Sequence, residues 1–210
     1  MNEKICYIIG AGDYFQHTIQ PAPGDLVIAA DGGYGYLQQA HLEADIVLGD
    51  FDSLPAAPNH PHVIVLNKEK DDTDMLAAIH EGLGQGYLIF RIYGGTGGRF
   101  EHTLANLQCL AYLAQNGARG ELFGRDTVVT AIAGGELAFE AGCAGLLSVF
   151  SHTDKALGVT LRGLKYPLDN YTMTNTFPIG VSNEFIGERA TVSVRAGTLF
   201  VVYPQSAKLL

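Results

Sequence analysis

Residues 87–116 read YLIFRIYGGTGGRFEHTLANLQCLAYLAQN. The stretch opens on an apolar run, Tyr87–Tyr93, that is nearly continuous rather than alternating. Such a run suits a strand of a parallel sheet covered on both faces. It breaks at Gly94-Gly95-Thr96-Gly97-Gly98-Arg99, a turn rich in residues that accept unusual backbone angles. A helix then runs over Phe100–Asn116, with Leu104, Leu107, Ala111 and Ala114 at helical spacing and Gly117 as its stop. Strand, glycine turn and helix in this order form the repeating unit of an α/β sheet.

Upstream, the same rhythm recurs. Apolar runs at Ile5–Ile9, Leu26–Ala30, Ile46–Leu48 and Val63–Leu66 read as further parallel strands. A second helix is expected over about Asp74–Gly82, where Asp71, Asp72 and Asp74 at its start offset the helix dipole. Right-handed βαβ crossovers follow from that order. Past about Val128 the segments become short and β-branched, as in Leu146–Phe150, Val159–Leu161 and Thr191–Val194. Thr191–Val194 and Thr198–Tyr203, separated by Arg195-Ala196-Gly197, read as a hairpin. The fold expected is α/β: an N-terminal Rossmann-like domain with a parallel sheet, residues 1–127, followed by a smaller all-β sandwich domain, residues 128–210.

Composition narrows the function. The chain has 210 residues, 47% apolar and 17% charged, which is enough for a folded core. Its formal net charge of −9 disfavours a nucleic-acid partner. An acidic protein that binds phosphates needs metal ions or local donors to overcome its own field. Cys6, Cys109 and Cys143 are odd in number, widely spaced and free of any CxxC pattern, so they read as small core residues in a reducing compartment. The N-terminal apolar stretch is too short for a signal peptide, and no run approaches a membrane span. A cytoplasmic protein without membrane contact is expected.

The acids follow the strands. Asp31 ends LVIAAD and opens Asp31-Gly32-Gly33. Asp50 ends DIVLGD and is followed by Phe51-Asp52-Ser53. The cluster Asp71-Asp72-Thr73-Asp74 comes shortly after HVIVLN. Taken singly, these are a turn, a solvated loop and a helix cap. Together with the Gly94–Arg99 turn they lie just past the C-terminal ends of four strands, the edge where open parallel sheets bind ligands. Mg²⁺ takes a few carboxylates, water and phosphate oxygens, and Asp50 and Asp52 are spaced to share one ion. Glycines let backbone amides approach phosphates, and Arg99 at the helix entrance suits a guanidinium clamp.

Other motifs fail. Gly10-Ala11-Gly12 follows the first strand, but Phe15 stands where a dinucleotide fingerprint needs glycine. No GxxxxGK[ST] or GxSxG occurs, and the seven histidines show no metal spacing. His60 and His62, in a Pro-rich loop, read as solvated.

Asp31-Gly32-Gly33, Gly49-Asp50-Phe51-Asp52-Ser53, Asp71-Asp72-Thr73-Asp74 and Gly94–Asn106 together resemble the thiamine pyrophosphokinase family. Gly163-Leu164-Lys165-Tyr166-Pro167-Leu168 and Ser182-Asn183 resemble that family's vitamin-binding segment. The resemblance implies transfer of a pyrophosphoryl group from ATP to thiamine, giving thiamine diphosphate and AMP, in a homodimer with sites at the subunit interface. It implies that Asp31, Asp50, Asp52 and Asp74 surround Mg²⁺ and the triphosphate, with Asp50, Asp52, Asp74 and Arg99 as the catalytic set. Thr73, Gly95, Arg99, His102 and Asn106 would line the ATP site with Asp31, while Tyr166, Ser182 and Asn183 would contact thiamine. Glu101 departs from the family pattern, which has Asp there, and Tyr166 stands where some relatives have Trp. Two other readings share the N-terminal acids: a pyrophosphokinase for another alcohol such as a hydroxymethyl pterin, and a non-catalytic nucleotide or thiamine sensor. The Gly163–Leu168 segment argues against the first, and the presence of all four acids against the second.

Overall fold

The computed structural model describes residues 3–15, 17–51, 58–67 and 72–210. The chain is mixed α/β and divides into two compact units, Met1–Cys109 with Leu122–Gly124, and Leu110–Glu121 with Arg125–Leu210.

The first unit holds five parallel strands: β1 Ile5–Ile9, β2 Leu26–Ala30, β3 Ile46–Gly49, β4 Val63–Val65 and β5 Ile89–Tyr93. Their spatial order is β5-β1-β2-β3-β4, and every neighbouring pair is parallel. β2 therefore lies centrally, and it is buried along its whole length. Side chains of Tyr7, Ile9, Val27, Ala29 and Val47 share one face with Leu37 of helix α1, Gly33–Gln39. Helix α2, Asp74–Gly84, covers the opposite face. A Cβ at Gly82 would come within 2.6 Å of the Phe90 ring and 2.9 Å of the Cys6 sulfur, so the α2 backbone packs directly on these two side chains of the sheet. Helices on both faces explain why the strand sequences are continuously apolar.

The third helix, α3, spans Phe100–Gln115, close to its expected limits, and its last residues belong to the second unit. Gly117 ends it with φ of 76°, and the Ala118 amide returns to the Leu113 carbonyl at 2.9 Å. The three cysteines are free and buried, as their spacing suggested. Burial pushes the Cys109 thiol up to about 11.

Strand β6, Arg119–Phe123, is divided between the two units. The second unit then holds β7 Thr127–Phe139, β8 Leu146–Ser151, β9 Lys155–Arg162, β10 Leu168–Thr174, β11 Asn183–Glu184 and β12 Ala190–Pro204. The ladders β9–β10, β8–β11, β7–β12, β8–β12 and β9–β12 are all antiparallel. Here the structure corrects the expected hairpin: Ala190–Pro204 is one strand, and both of its halves run along β7. Val194 pairs with Gly135 and Thr198 with Ala133, so β12 advances four residues while β7 advances two. The surplus is a bulge at Arg195-Ala196-Gly197. Gly197 has φ of 95°, and a Cβ there would strike the Lys155 carbonyl at 2.7 Å. The glycine that suggested a reversal serves instead to admit this close approach. At the bulge β12 also changes its other partner, pairing β9 before it and β8 after it.

Candidate functional site

A cleft of about 640 Å³ opens in the first unit at the C-terminal ends of its strands. Asp31, Asp50, Thr73, Asp74, Gly95, Arg99, His102 and Asn106 all line it. Sequence separation between these residues is large, so the parallel sheet is what gathers them: they follow its strands or lie at the starts of helices α2 and α3.

Local backbone geometry places the acids. Asp31 leaves β2 with φ of 51°, a left-handed conformation that aspartate tolerates better than most residues, and its amide donates to the Leu48 carbonyl at 2.8 Å. Gly33 must be glycine, since a Cβ would stand 1.9 Å from the Ile9 carbonyl oxygen. Asp50 follows β3, and Phe51 after it has φ of 51° with its ring in the core. Thr73 caps α2, its hydroxyl accepting from the Leu76 amide at 3.2 Å, which puts Asp74 in the first turn of that helix. The metal-site candidate Asp52 lies outside the described residues, as does Asp71.

The glycine turn forms another wall. Gly94, Gly97 and Gly98 have φ of 61°, 77° and 58°. Backbone in this conformation curves into a concavity whose amides can face an anion. Asn106, 7% exposed, reaches back from α3 to donate to the Gly95 carbonyl at 2.7 Å. The Arg99 guanidinium lies against Nε2 of His102, within hydrogen-bonding reach. The Glu101 carboxylate stands 3.7 Å from Arg99 Nε, so glutamate in this position still reaches the arginine.

Gly10, Ala11 and Gly12 also line the cleft, a role their failure as a dinucleotide fingerprint concealed. The amides of Gly10, Gly12 and Asp13 donate to the carbonyls of Tyr93, Gly94 and Thr96 at 2.7–2.8 Å. A Cβ at Gly12 would stand 2.5 Å from the Thr96 carbonyl, and one at Gly94 would stand 2.4 Å from that of Gly10. Glycines on both loops thus let two backbones fuse into one floor. The usable signal was position, directly after the first strand.

The donors offered by Asp31, Asp50 and Asp74 are all carboxylate oxygens beside a phosphate-sized concavity, which suits a hard divalent cation sharing its shell with phosphate and water. Among the described residues no group of three or more His, Cys, Asp or Glu side chains is placed to hold a metal ion by itself. A hard cation that keeps water and phosphate ligands does not need such a group.

His62 is exposed, as its loop suggested, while His60 is half-buried and bonded to backbone. The Nε2 of His60 meets the Ala44 carbonyl at 3.0 Å and its Nδ1 accepts from the His62 amide at 3.2 Å. Both nitrogens are engaged with backbone, which tethers the entry to β4.

In the second unit, Tyr166, Ser182 and Asn183 come together. Asn183 is 4% exposed, and its side chain is hydrogen-bonded to the backbone of Tyr166. The Tyr166 ring is 59% exposed. Ser182 has φ of 57°, and its amide donates to Ser148 Oγ at 3.0 Å. Beside them Lys165 Nζ donates to Glu184 at 2.6 Å and lies 5.7 Å from the Tyr166 ring centroid. That bond to Glu184, with its charge, raises the Lys165 pKa.

A carboxylate-lined cleft with a glycine-built floor, at the C-terminal edge of a parallel sheet, defines an α/β enzyme that handles phosphate groups. Family models described as thiamin pyrophosphokinase, catalytic domain, and thiamin pyrophosphokinase, vitamin B1 binding domain, match residues 15–121 and 139–199. The thiamine pyrophosphokinase of Bacillus subtilis (strain 168) is 30% identical over 184 residues, 84% of this chain and 86% of that one. A crystal structure of the Bacillus subtilis enzyme superposes with a TM-score of 0.84 at 28% identity, covering 97% of this chain and 100% of that one. That of a family protein from Enterococcus faecalis gives 0.82 at 30% identity, covering 97% and 100%. The chain belongs to the thiamine pyrophosphokinase family and is an enzyme of that family.

Proposed function

We propose that the chain moves the terminal pyrophosphoryl group of ATP onto the hydroxyl of thiamine, with the cleft of the first unit holding the nucleotide. The observation that carries this reading is the gathering of Asp31, Asp50, Asp74, Arg99, His102 and Asn106 on one cleft beside the Gly94–Gly98 concavity. In this reading Asp31, Asp50, Asp52 and Asp74 hold Mg²⁺, which offsets phosphate charge when bound. Gly95 and the neighbouring turn cradle phosphate oxygens, Thr73 borders them, and Arg99 clamps them beside His102 and Glu101. The thiamine oxygen forms a bond to the β-phosphorus and gives its proton to an aspartate. The bond from the β-phosphorus to the bridging oxygen of AMP breaks, and AMP leaves with that oxygen. Positioning and charge neutralisation do most of this work.

The same reading takes residues 1–127 as a Rossmann-like nucleotide domain and residues 128–210 as a thiamine-binding β-sandwich; the change of partner along β12 supports the second. Tyr166, Ser182 and Asn183 form the thiamine contact region, where an aromatic face suits the thiazolium cation. The enzyme is read as a cytoplasmic homodimer with its sites between subunits. Three unpaired, buried cysteines support a reducing compartment. Among the described residues no helix is long and apolar enough to cross a membrane.

Incubating the protein with ATP, Mg²⁺ and thiamine and resolving products by mass tests the reaction. Equal amounts of AMP and thiamine diphosphate are expected. ADP with thiamine monophosphate would overturn the site of attack, and turnover with a hydroxymethyl pterin but not thiamine would overturn the acceptor.

A further inference from the structure

We infer that Asn183 serves the vitamin substrate through Tyr166, as a positioning residue that fixes the peptide carrying the aromatic ring. This rests on the reading of Tyr166 as a thiamine contact. An asparagine side chain offers two acceptor lone pairs and two donor hydrogens. Oδ1 of Asn183 accepts from the Tyr166 amide at 2.9 Å and from the Glu184 amide at 2.9 Å. Its Nδ2 donates to the Tyr166 carbonyl at 2.7 Å. Both lone pairs and one donor are therefore committed to backbone, in a side chain that is 4% exposed. No acceptor is left to offer a ligand.

From the side of Tyr166 the arrangement is equally complete. One side chain satisfies both its amide and its carbonyl, as a neighbouring strand would. The flanking residues extend the attachment: Lys165 donates its amide to the Glu184 carbonyl at 3.0 Å, and Leu164 bridges to Phe185. The Tyr166 ring, 59% exposed, has little packing of its own, so its place depends on the backbone beneath it. Lys165 Nζ, 5.7 Å from the ring centroid, marks the ring as a surface that already accepts a cation. Losing the Asn183 clamp would free the Tyr166 peptide and leave its amide and carbonyl without partners. The ring would then no longer be held ready for a thiazolium.

Steady-state kinetics and melting temperatures of the full chain test this, with Tyr166→Ala, Asn183→Ala and the double variant. Asn183→Ala should raise the KM for thiamine about tenfold and leave that for ATP within about twofold. In the Tyr166→Ala background the same change should add less than about twofold to the thiamine KM. An equal increment in both backgrounds would overturn the role given to Asn183 while leaving Tyr166 as a thiamine contact. A thiamine KM unmoved by Tyr166→Ala would instead remove the reading of the ring, and the inference with it. Asn183→Asp keeps the acceptor and the volume but sets a carboxylate against the Tyr166 carbonyl. It should raise the thiamine KM likewise, and it carries the test should the alanine variant fail to fold.

Discussion

The buried side-chain amide of Asn106 donates to the carbonyl of Gly95 across 2.7 Å, tying helix α3 to the turn that forms one wall of the cleft. A Cβ on Gly95 would press on the Leu122 side chain at 2.6 Å and on this same amide at 3.3 Å, so the turn is held from both sides. Asn106→Ala leaves the carbonyl without this partner in a buried setting, at a cost of about 1–3 kcal/mol. The expected outcome is a lower melting temperature and an ATP KM raised roughly tenfold, with the thiamine KM unchanged. An unchanged ATP KM would show that this turn does not touch the nucleotide.

Asp50→Asn should remove most turnover while preserving the fold, because it deletes one charge at nearly constant volume. Loss of a key electrostatic group lowers kcat by ~10²–10³-fold. The same is expected of Asp52→Asn. The check is kcat at saturating Mg²⁺ alongside circular dichroism. Retention of more than about a tenth of wild-type turnover would remove that aspartate from the metal site.

Glu101→Gln should change little. The pair with Arg99 spans 3.7 Å, and both side chains are about 70% exposed, at 72% and 69%. Exposed pairs contribute about 0–1 kcal/mol. The ATP KM should rise by no more than about fivefold, whereas Arg99→Gln should raise it far more. Equal losses in both variants would mean that the carboxylate itself meets the substrate.

His17 supplies a pH test of stability. Burial lowers its pKa below the ordinary value of 6.5, so the folded chain favours the neutral ring. The unfolded chain binds that proton more readily, so stability present above pH 6.5 is lost as pH falls through and below it. His17→Phe, beside Tyr93 and Phe123, should flatten this part of the stability curve. Parallel wild-type and variant curves in urea unfolding between neutral and acidic pH would contradict it.

The homodimer is checked by light scattering at micromolar concentration. A dimeric mass is expected. A fully active monomer would exclude sites shared between subunits.

Much of the first unit is legible locally. Ile5–Ile9 and Leu26–Ala30 form strands at the limits their apolar runs gave, because a strand covered on both faces leaves an unbroken apolar signature. Asp31, Asp50, Asp74 and the Gly94–Arg99 turn could be assigned to one edge from chain order alone, since parallel strands all end on the same side. Helix α1 escaped notice because its sequence, GYGYLQQ, has two glycines and a single fully buried anchor, Leu37.

The second unit is less legible. Strand β10, LDNYTMT, is exposed along most of its length and carries no alternating apolar pattern. Arg195-Ala196-Gly197 has the composition of a turn, and only pairing with β7 on both sides makes it a bulge. Which segments are apolar enough to be strands, and which acids follow them, can be read along the chain because both are properties of near neighbours. Tertiary structure alone decided that Gly10–Gly12 joins the cleft floor, that β12 does not reverse, and that Asn183 grips the backbone of Tyr166 from 17 residues away. Those outcomes depend on register and on hydrogen-bond partners remote in the chain, which no local pattern of side chains encodes.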